Sequence, residues 1–276
     1  QVPLAKYLRP IFDMARFGLI GNPISHSKSP SLFAAAYDGE DSYELIEAPS
    51  FEDSFQKFLN GDFRGINVTS PYKDLIMQYV SCPDRVSSLL CSANVVVKGE
   101  NGELHSYNTD YFGVKNTIAE FLENNPTHKC VSGKKLQSAM VVGAGGAGKA
   151  AALAMRDLGY KVYIVNRSAG KVAEYASQIG AEYVPLDKIA EYTPKSDIIV
   201  YALSFMVDGL NGVDLSGKII FEANYAHPVL APQCGIESGC YLEGRLWLYH
   251  QAVPAFELFV GKTPDLAAMR KIMGIE

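Results

Sequence analysis

Between Arg16 and Tyr79 apolar runs alternate with amphipathic stretches in strand–helix order. The pattern predicts strands at Phe17–Ile20, Tyr43–Glu47 and Gly65–Val68, and helices at Ser31–Tyr37, Phe51–Leu59 and Lys73–Val80. Strands that alternate with helices are covered on both faces by the crossovers, so this order predicts a parallel sheet. Ala93–Lys98 and Glu103–Tyr107, joined by Gly99-Glu-Asn-Gly102, read as a hairpin that closes the unit. A second series follows the polar stretch Glu123–Gln137, where Asn124, Asn125, Pro126 and Gly133 interrupt the helical pattern. Its strands are Ala139–Val142, Lys161–Val165, Asp197–Tyr201 and Lys218–Phe221, and its helices Lys149–Leu158 and Lys171–Ile179. Apolar residues return to helical spacing from Leu246 to Val260, which predicts a terminal helix packing back onto the first unit. No internal repeat is visible.

Composition narrows the ligand. The chain has 276 residues, 48% hydrophobic and 20% charged, which is enough for two packed cores. Its net charge of -5 and its dispersed lysines and arginines give no footprint for nucleic acid or an anionic membrane, so a small-molecule ligand is expected. No apolar run approaches the roughly 20 residues that span a bilayer, and the N-terminus lacks the order of a signal peptide; a cytoplasmic protein is expected. Cys82, Cys91, Cys130, Cys234 and Cys240 are odd in number and lack C-x-x-C spacing, so they read as free thiols with no metal site. Residues 1–13 precede Met14 and read as an N-terminal extension.

Chemistry enters at Gly143-Ala-Gly145-Gly146-Ala-Gly148, which follows a strand and opens a helix. Without side chains the backbone turns tightly and approaches a pyrophosphate, and the N–H groups and dipole of the helix start favour its charge. The next strand ends in Asn166-Arg167-Ser168, where an NAD site carries an acid for the ribose hydroxyl. Arg167 can grip a 2′-phosphate through its planar fork, and Lys171 adds a second cation, so NADP is favoured. The missing acid also weakens a methyltransferase reading. In the first unit, Gly21-Asn-Pro-Ile-Ser-His-Ser27-Lys-Ser29-Pro30 joins the first strand to the first helix and places small hydroxyls at the sheet's carboxyl edge. By itself this is equally a helix cap, with Ser29 as N-cap and Pro30 at the first helical position.

Two further segments accompany it in order: Asn67-Val-Thr69-Ser-Pro71-Tyr-Lys73 after the third strand and Asn108-Thr109-Asp110-Tyr-Phe-Gly113 after the hairpin. With the two loops above and with Gln251-Ala252 followed by Ala255-Phe256-Glu257, the set resembles the shikimate dehydrogenase family from about Phe17 to Gly261. The resemblance implies an α/β chain of two domains: a substrate domain of residues 14–112 completed by 245–276, and a Rossmann-like NADP-binding domain of residues 113–244. It implies NADPH-dependent reduction of 3-dehydroshikimate to shikimate in aromatic amino-acid biosynthesis, by a monomer or homodimer. Lys73 and Asp110 become the catalytic pair between the domains. Ser27 and Ser29, with Tyr225 from the second domain, take the substrate carboxylate, while Thr69, Asn94 and Gln251 take its hydroxyl side. Gly143, Gly145, Gly146, Gly148, Asn166, Arg167, Ser168, Lys171 and Gly244 line the cofactor.

The family pattern breaks at three places. Cys91-Ser-Ala-Asn94 replaces smaller residues and is expected to tighten the pocket floor; Tyr201-Ala-Leu203-Ser204 replaces polar residues near the nicotinamide; and Glu222, Tyr225 and His227-Pro228 carry an extra residue before the proline. The rival readings are a paralogue acting on quinate or an aminated analogue, and a metabolite sensor without activity. His26 and His227 are assigned no catalytic role.

Overall fold

A computed structural model of the chain describes residues 14–126, 133, 135–230 and 240–275, so the expected extension, residues 1–13, lies outside the description. The chain divides into two compact units, Gln1–Thr109 with Gln251–Glu276, and Asp110–His250. The sequence places the changes of domain at 112/113 and 244/245.

Among the described residues the first unit runs β1 (Arg16–Ile20), α1 (Ser29–Tyr37), β2 (Ser42–Leu45), α2 (Phe51–Asn60), β3 (Phe63–Val68), β4 (Cys82–Pro83), α3 (Arg85–Leu90), β5 (Val95–Lys98) and β6 (Leu104–Tyr107). The sheet order is β2-β1-β3-β5-β6-β4. β1 runs parallel to β2 and β3, whereas β5 is antiparallel to both β3 and β6, so the hairpin makes the sheet mixed. α2 shows how sequence sets an element: the Ser50 hydroxyl caps its start by accepting from Asp53 N, and Phe51, Phe55 and Phe58 fall on one buried face. Lys98 Nζ finishes its other end, donating to the Phe58, Leu59 and Gly61 carbonyls at 2.9, 3.1 and 3.2 Å. The helix expected over Lys73–Val80 shrinks to a single 3-10 turn, Leu75–Gln78. Tyr79 N closes that turn on Ile76 O, and Ser81 N already donates to Leu104 O, so pairing with the sheet edge takes the chain before a second turn can form.

The second unit adds α4 (Asp110–Asn124), β7 (Ser138–Val142), α5 (Gly146–Asp157), β8 (Lys161–Asn166), α6 (Gly170–Ile179), β9 (Glu182–Pro185), α7 (Ile189–Tyr192), β10 (Ile198–Tyr201), β11 (Ile219–Glu222) and β12 (Tyr241–Leu242). The sheet is parallel throughout in the order β12-β11-β10-β7-β8-β9, and β7, β10 and β11 are buried along their whole length. Strand order reverses between β7 and β10, the switch point at which such sheets bind ligands beyond their carboxyl ends. α8 (Gly244–Val260) contributes to both cores. Trp247 lies 5.3 Å from Phe221 in the second unit, while in the first Phe256 lies 5.0 Å from Phe33 and Phe259 stacks on Phe17 at 4.9 Å. α9 (Leu266–Met273) ends the described chain and packs beside α1.

Asp197 joins β10 to β7. Its Oδ2 accepts from Gln137 N, Ser138 N and Ser138 Oγ at 2.8, 3.1 and 3.0 Å. Burial works against the charged form, but these donors and the Lys218 charge outweigh it and hold the carboxyl below the ordinary aspartate range. A depressed folded pKa gives stability that is present above the unfolded value of about 3.9 and is lost as pH falls through the folded value. Asp197→Asn is therefore expected to flatten the loss of stability below about pH 4, read from unfolding midpoints against pH; an unchanged acid limb would reject the assignment.

Cys240 is disulfide-bonded, which overturns the free-thiol reading there. Cys82 and Cys91 are free and exposed. Cysteine count and spacing do not reveal such a pairing. Among the described residues no cluster of His, Cys, Asp or Glu could hold a metal ion, and no helix is long and apolar enough to cross a membrane.

Candidate active site

In the first unit the loops leaving β1 and β3 meet at the carboxyl edge of the sheet. Thr69 N donates to Ile20 O at 2.9 Å and Asn22 N to Ser70 O at 3.2 Å. A Cβ at Gly21 would run into Thr69 Cγ2, so this approach requires glycine. Ser27 and Ser29 are partly buried and face each other, with Ser27 Oγ donating to Ser29 Oγ at 3.2 Å. The alternative reading of Ser29 as the N-cap does not hold. The N-cap of α1 is Lys28, one residue earlier, without a side-chain cap bond, and Ser29 is the first helical residue. Its hydroxyl is therefore not engaged in capping.

Asn94 anchors the rest of this network. Its Oδ1 accepts from Thr109 N at 2.7 Å, and its Nδ2 donates to Thr109 Oγ1 at 2.9 Å and Gln251 Oε1 at 2.8 Å. The Gln251 carbonyl is thereby held, which leaves the amide nitrogen as its donor end. Thr69 stands at the end of β3, where Asn67 Nδ2 donates to Asn94 O at 3.0 Å. Lys73 is partly buried in the turn that follows, and its backbone oxygen accepts from Ala93 N at 2.9 Å, one residue before Asn94. Asn108 Nδ2 donates to Ser92 O at 2.9 Å, two residues before Asn94. Ser27, Ser29, Thr69, Lys73, Asn94 and Gln251 thus belong to one unit. Cys91 does not tighten a pocket floor: it is exposed, at φ 47° in the left-handed C-cap of α3.

Asp110 and Tyr225 belong to the second unit. Asp110 opens α4, is 5% exposed, and accepts from Trp247 Nε1 at 3.1 Å. Trp247 carries no sequence motif; its one signal is that it is the only tryptophan. Tyr225 lies in the loop after β11, which the fully buried Glu222 shapes. The Glu222 carboxylate accepts from Val229 N at 2.5 Å, Leu230 N at 3.2 Å and Tyr241 Oη at 2.8 Å. The last contact and burial push the Tyr241 phenol well above its ordinary range, burial being the larger cause.

The glycine turn suits a pyrophosphate. Gly143 has φ 96°, a Cβ at Gly148 would run into Gly143 O, and Gly145 is the N-cap of α5 without a side-chain cap bond. Gly146 is the first residue of α5. The close backbone fold and the N–H groups of this helix start are what a phosphate needs. At the end of β8, Asn166 Nδ2 donates to Ser168 O at 3.0 Å, and Arg167, Ser168 and Lys171 are exposed. Cationic side chains with no acid among these four fit a ribose 2′-phosphate. Gly244 makes a close approach as well, since a Cβ there would run into Ala223 O. Tyr201, expected as a bulky substitution near the nicotinamide, is a core residue. Its ring is fully buried, and its hydroxyl donates to Phe205 O at 2.7 Å and accepts from Val207 N at 3.1 Å. Leu203 is the side chain over the glycine turn, 2.7 Å from where a Gly143 Cβ would stand.

Known proteins resemble this chain in sequence and fold. Residues 19–96 match the family described as shikimate dehydrogenase substrate binding domain, and residues 127–206 match shikimate / quinate 5-dehydrogenase. The chain is 31% identical to the NADP(+) shikimate dehydrogenase of Natronomonas pharaonis over 274 residues, covering 93% of this chain and 97% of that one. The chain belongs to the shikimate dehydrogenase family. A second relative in the family, the NADP(+) enzyme of Halobacterium salinarum, is 32% identical over 92% of this chain and 96% of its own. Among solved structures, the family's Thermus thermophilus shikimate 5-dehydrogenase in complex with shikimate superposes with a TM-score of 0.74 at 27% identity, covering 95% and 100% of the chains. A quinate dehydrogenase from Corynebacterium glutamicum in complex with NAD gives 0.74 at 26% identity over 94% and 98%.

Proposed function

We propose that this chain reduces 3-dehydroshikimate to shikimate with NADPH, and runs the reverse reaction with NADP, on the residues assembled above. Membership of a family whose full-length relatives are NADP(+) shikimate dehydrogenases is the observation that carries this reading. The neutral side chains of Ser27, Ser29, Thr69, Asn94 and Gln251 support it, because a polyhydroxylated carboxylate is held by hydrogen bonds without a competing ion. Ser27 and Ser29, with Tyr225, bind the carboxylate; Thr69, Asn94 and Gln251 face the hydroxyls. Gly143, Gly145, Gly146, Gly148 and Gly244 give the backbone room, and Asn166, Arg167, Ser168 and Lys171 hold the adenosine ribose and its phosphate. Bound NADPH supplies a hydride to the ketone carbon. The ketone oxygen then gains negative charge, which the Lys73 ammonium offsets before giving it a proton. Asp110, held by Trp247, orients and polarises the lysine, which regains its proton from solvent after the transfer.

We also propose that the protein is cytoplasmic and works as a monomer or homodimer on this small molecule, without nucleic acid or membrane. Initial rates with NADP and either shikimate or quinate test the substrate. Quinate carries a hydroxyl on the ring carbon that bears the carboxylate, so faster turnover of shikimate is expected. Preference for quinate would replace the substrate while leaving the chemistry in place.

A further inference from the structure

Tyr43 on β2 was given no role by the sequence. Its ring packs against Phe33 at 5.1 Å and Phe256 at 6.1 Å, and its hydroxyl turns into the polar network, 2.7 Å from Asn67 Oδ1. Asn67 Nδ2 stands 3.0 Å from the backbone oxygen of Asn94, an atom that only accepts. That contact fixes which end of the Asn67 amide is nitrogen. Its oxygen therefore faces Tyr43, and the phenol must be the donor there. The lone pairs of the phenol oxygen are left for a donor. Burial holds this phenol far above its ordinary titration range, so it stays a donor at any pH at which the protein is assayed.

We infer that Tyr43 is a positioning residue for substrate binding, holding the Asn67 amide so that its second N–H is presented to a ligand oxygen. A donor suits a carboxylate or hydroxyl oxygen of the substrate. With the amide turned over, a carbonyl would stand in its place and repel a carboxylate. The inference rests on the proposed role of Ser27 and Ser29, and it goes beyond that role by naming what orients the donors around them.

Tyr43→Phe keeps the ring and removes only the hydroxyl. Loss of one oriented hydrogen bond is expected to raise KM for shikimate by about three- to tenfold. Because the contact serves bound substrate and transition state alike, kcat should change by less than about twofold and KM for NADP should stay put. A purely structural role would lower the unfolding midpoint without this split. Asn67→Ala supplies the second arm: if Tyr43 acts through Asn67, adding Tyr43→Phe to Asn67→Ala leaves KM for shikimate where Asn67→Ala alone put it, and full additivity overturns the inference. Ser29→Ala separates the two levels. A raised KM with Ser29→Ala and an unmoved one with Tyr43→Phe sinks the inference alone; an unmoved KM with Ser29→Ala sinks the carboxylate site, and the inference with it.

Discussion

Lys73→Ala is expected to lower kcat for dehydroshikimate reduction by about 10²- to 10⁴-fold, the usual contribution of a positioned acid–base group. KM for the substrate should move far less, because the ammonium does most once charge has built up on the ketone oxygen. Lys73→Arg makes the test sharper. A guanidinium keeps the positive charge but does not release a proton in the working range, so it is expected to leave turnover well below that of the parent. The bond from Ala93 N to Lys73 O belongs to the backbone and is open to both variants. Normal kcat in Lys73→Ala, measured from initial rates, would remove the lysine from the mechanism.

The second large effect is expected at the end of β8. Arg167 is exposed there beside Ser168, so its replacement does not disturb a core. Arg167→Ala is expected to raise KM for NADPH by about 10- to 100-fold, the equivalent of losing a charge-assisted contact of about 1.5–3 kcal/mol. Rates with NADH, which lacks the 2′-phosphate, should hardly change. Arg167→Asp is expected to go further and favour NADH, because a carboxylate there repels the phosphate and accepts from a ribose hydroxyl. Equal losses with both cofactors in Arg167→Ala would show that the arginine does not read the phosphate.

Much of the second unit was legible because its strands are buried on both faces and read as apolar runs, as at Met140–Val142 and Ile198–Tyr201. The glycine turn was legible for a related reason: Gly143 at φ 96° and the close approach at Gly148 leave no alternative to glycine. Local patterns misled where a longer-range contact won. Leu75, Ile76 and Tyr79 carry helical spacing, but Ser81 pairs with Leu104 on the sheet edge and ends the turn. Ser29-Pro30 has the chemistry of a cap, yet the helix begins at the serine itself. Tyr43 was invisible because its meeting with Asn67 depends on two registers, Tyr43 opposite Phe17 and Asn67 opposite Leu19, which no spacing within a strand reveals. Tyr201 looked like an alteration of the cofactor site, but its place in the sheet directs the ring into the core and its hydroxyl onto the following loop.

The central claim is that this chain carries hydride and proton to a ring ketone. Purified protein mixed with NADPH and 3-dehydroshikimate tests it most directly, by loss of the reduced cofactor's absorbance together with shikimate released. The account predicts both, in one-to-one proportion over many turnovers. Tight binding of shikimate and NADPH with no turnover would contradict it and leave a metabolite sensor built on the same fold.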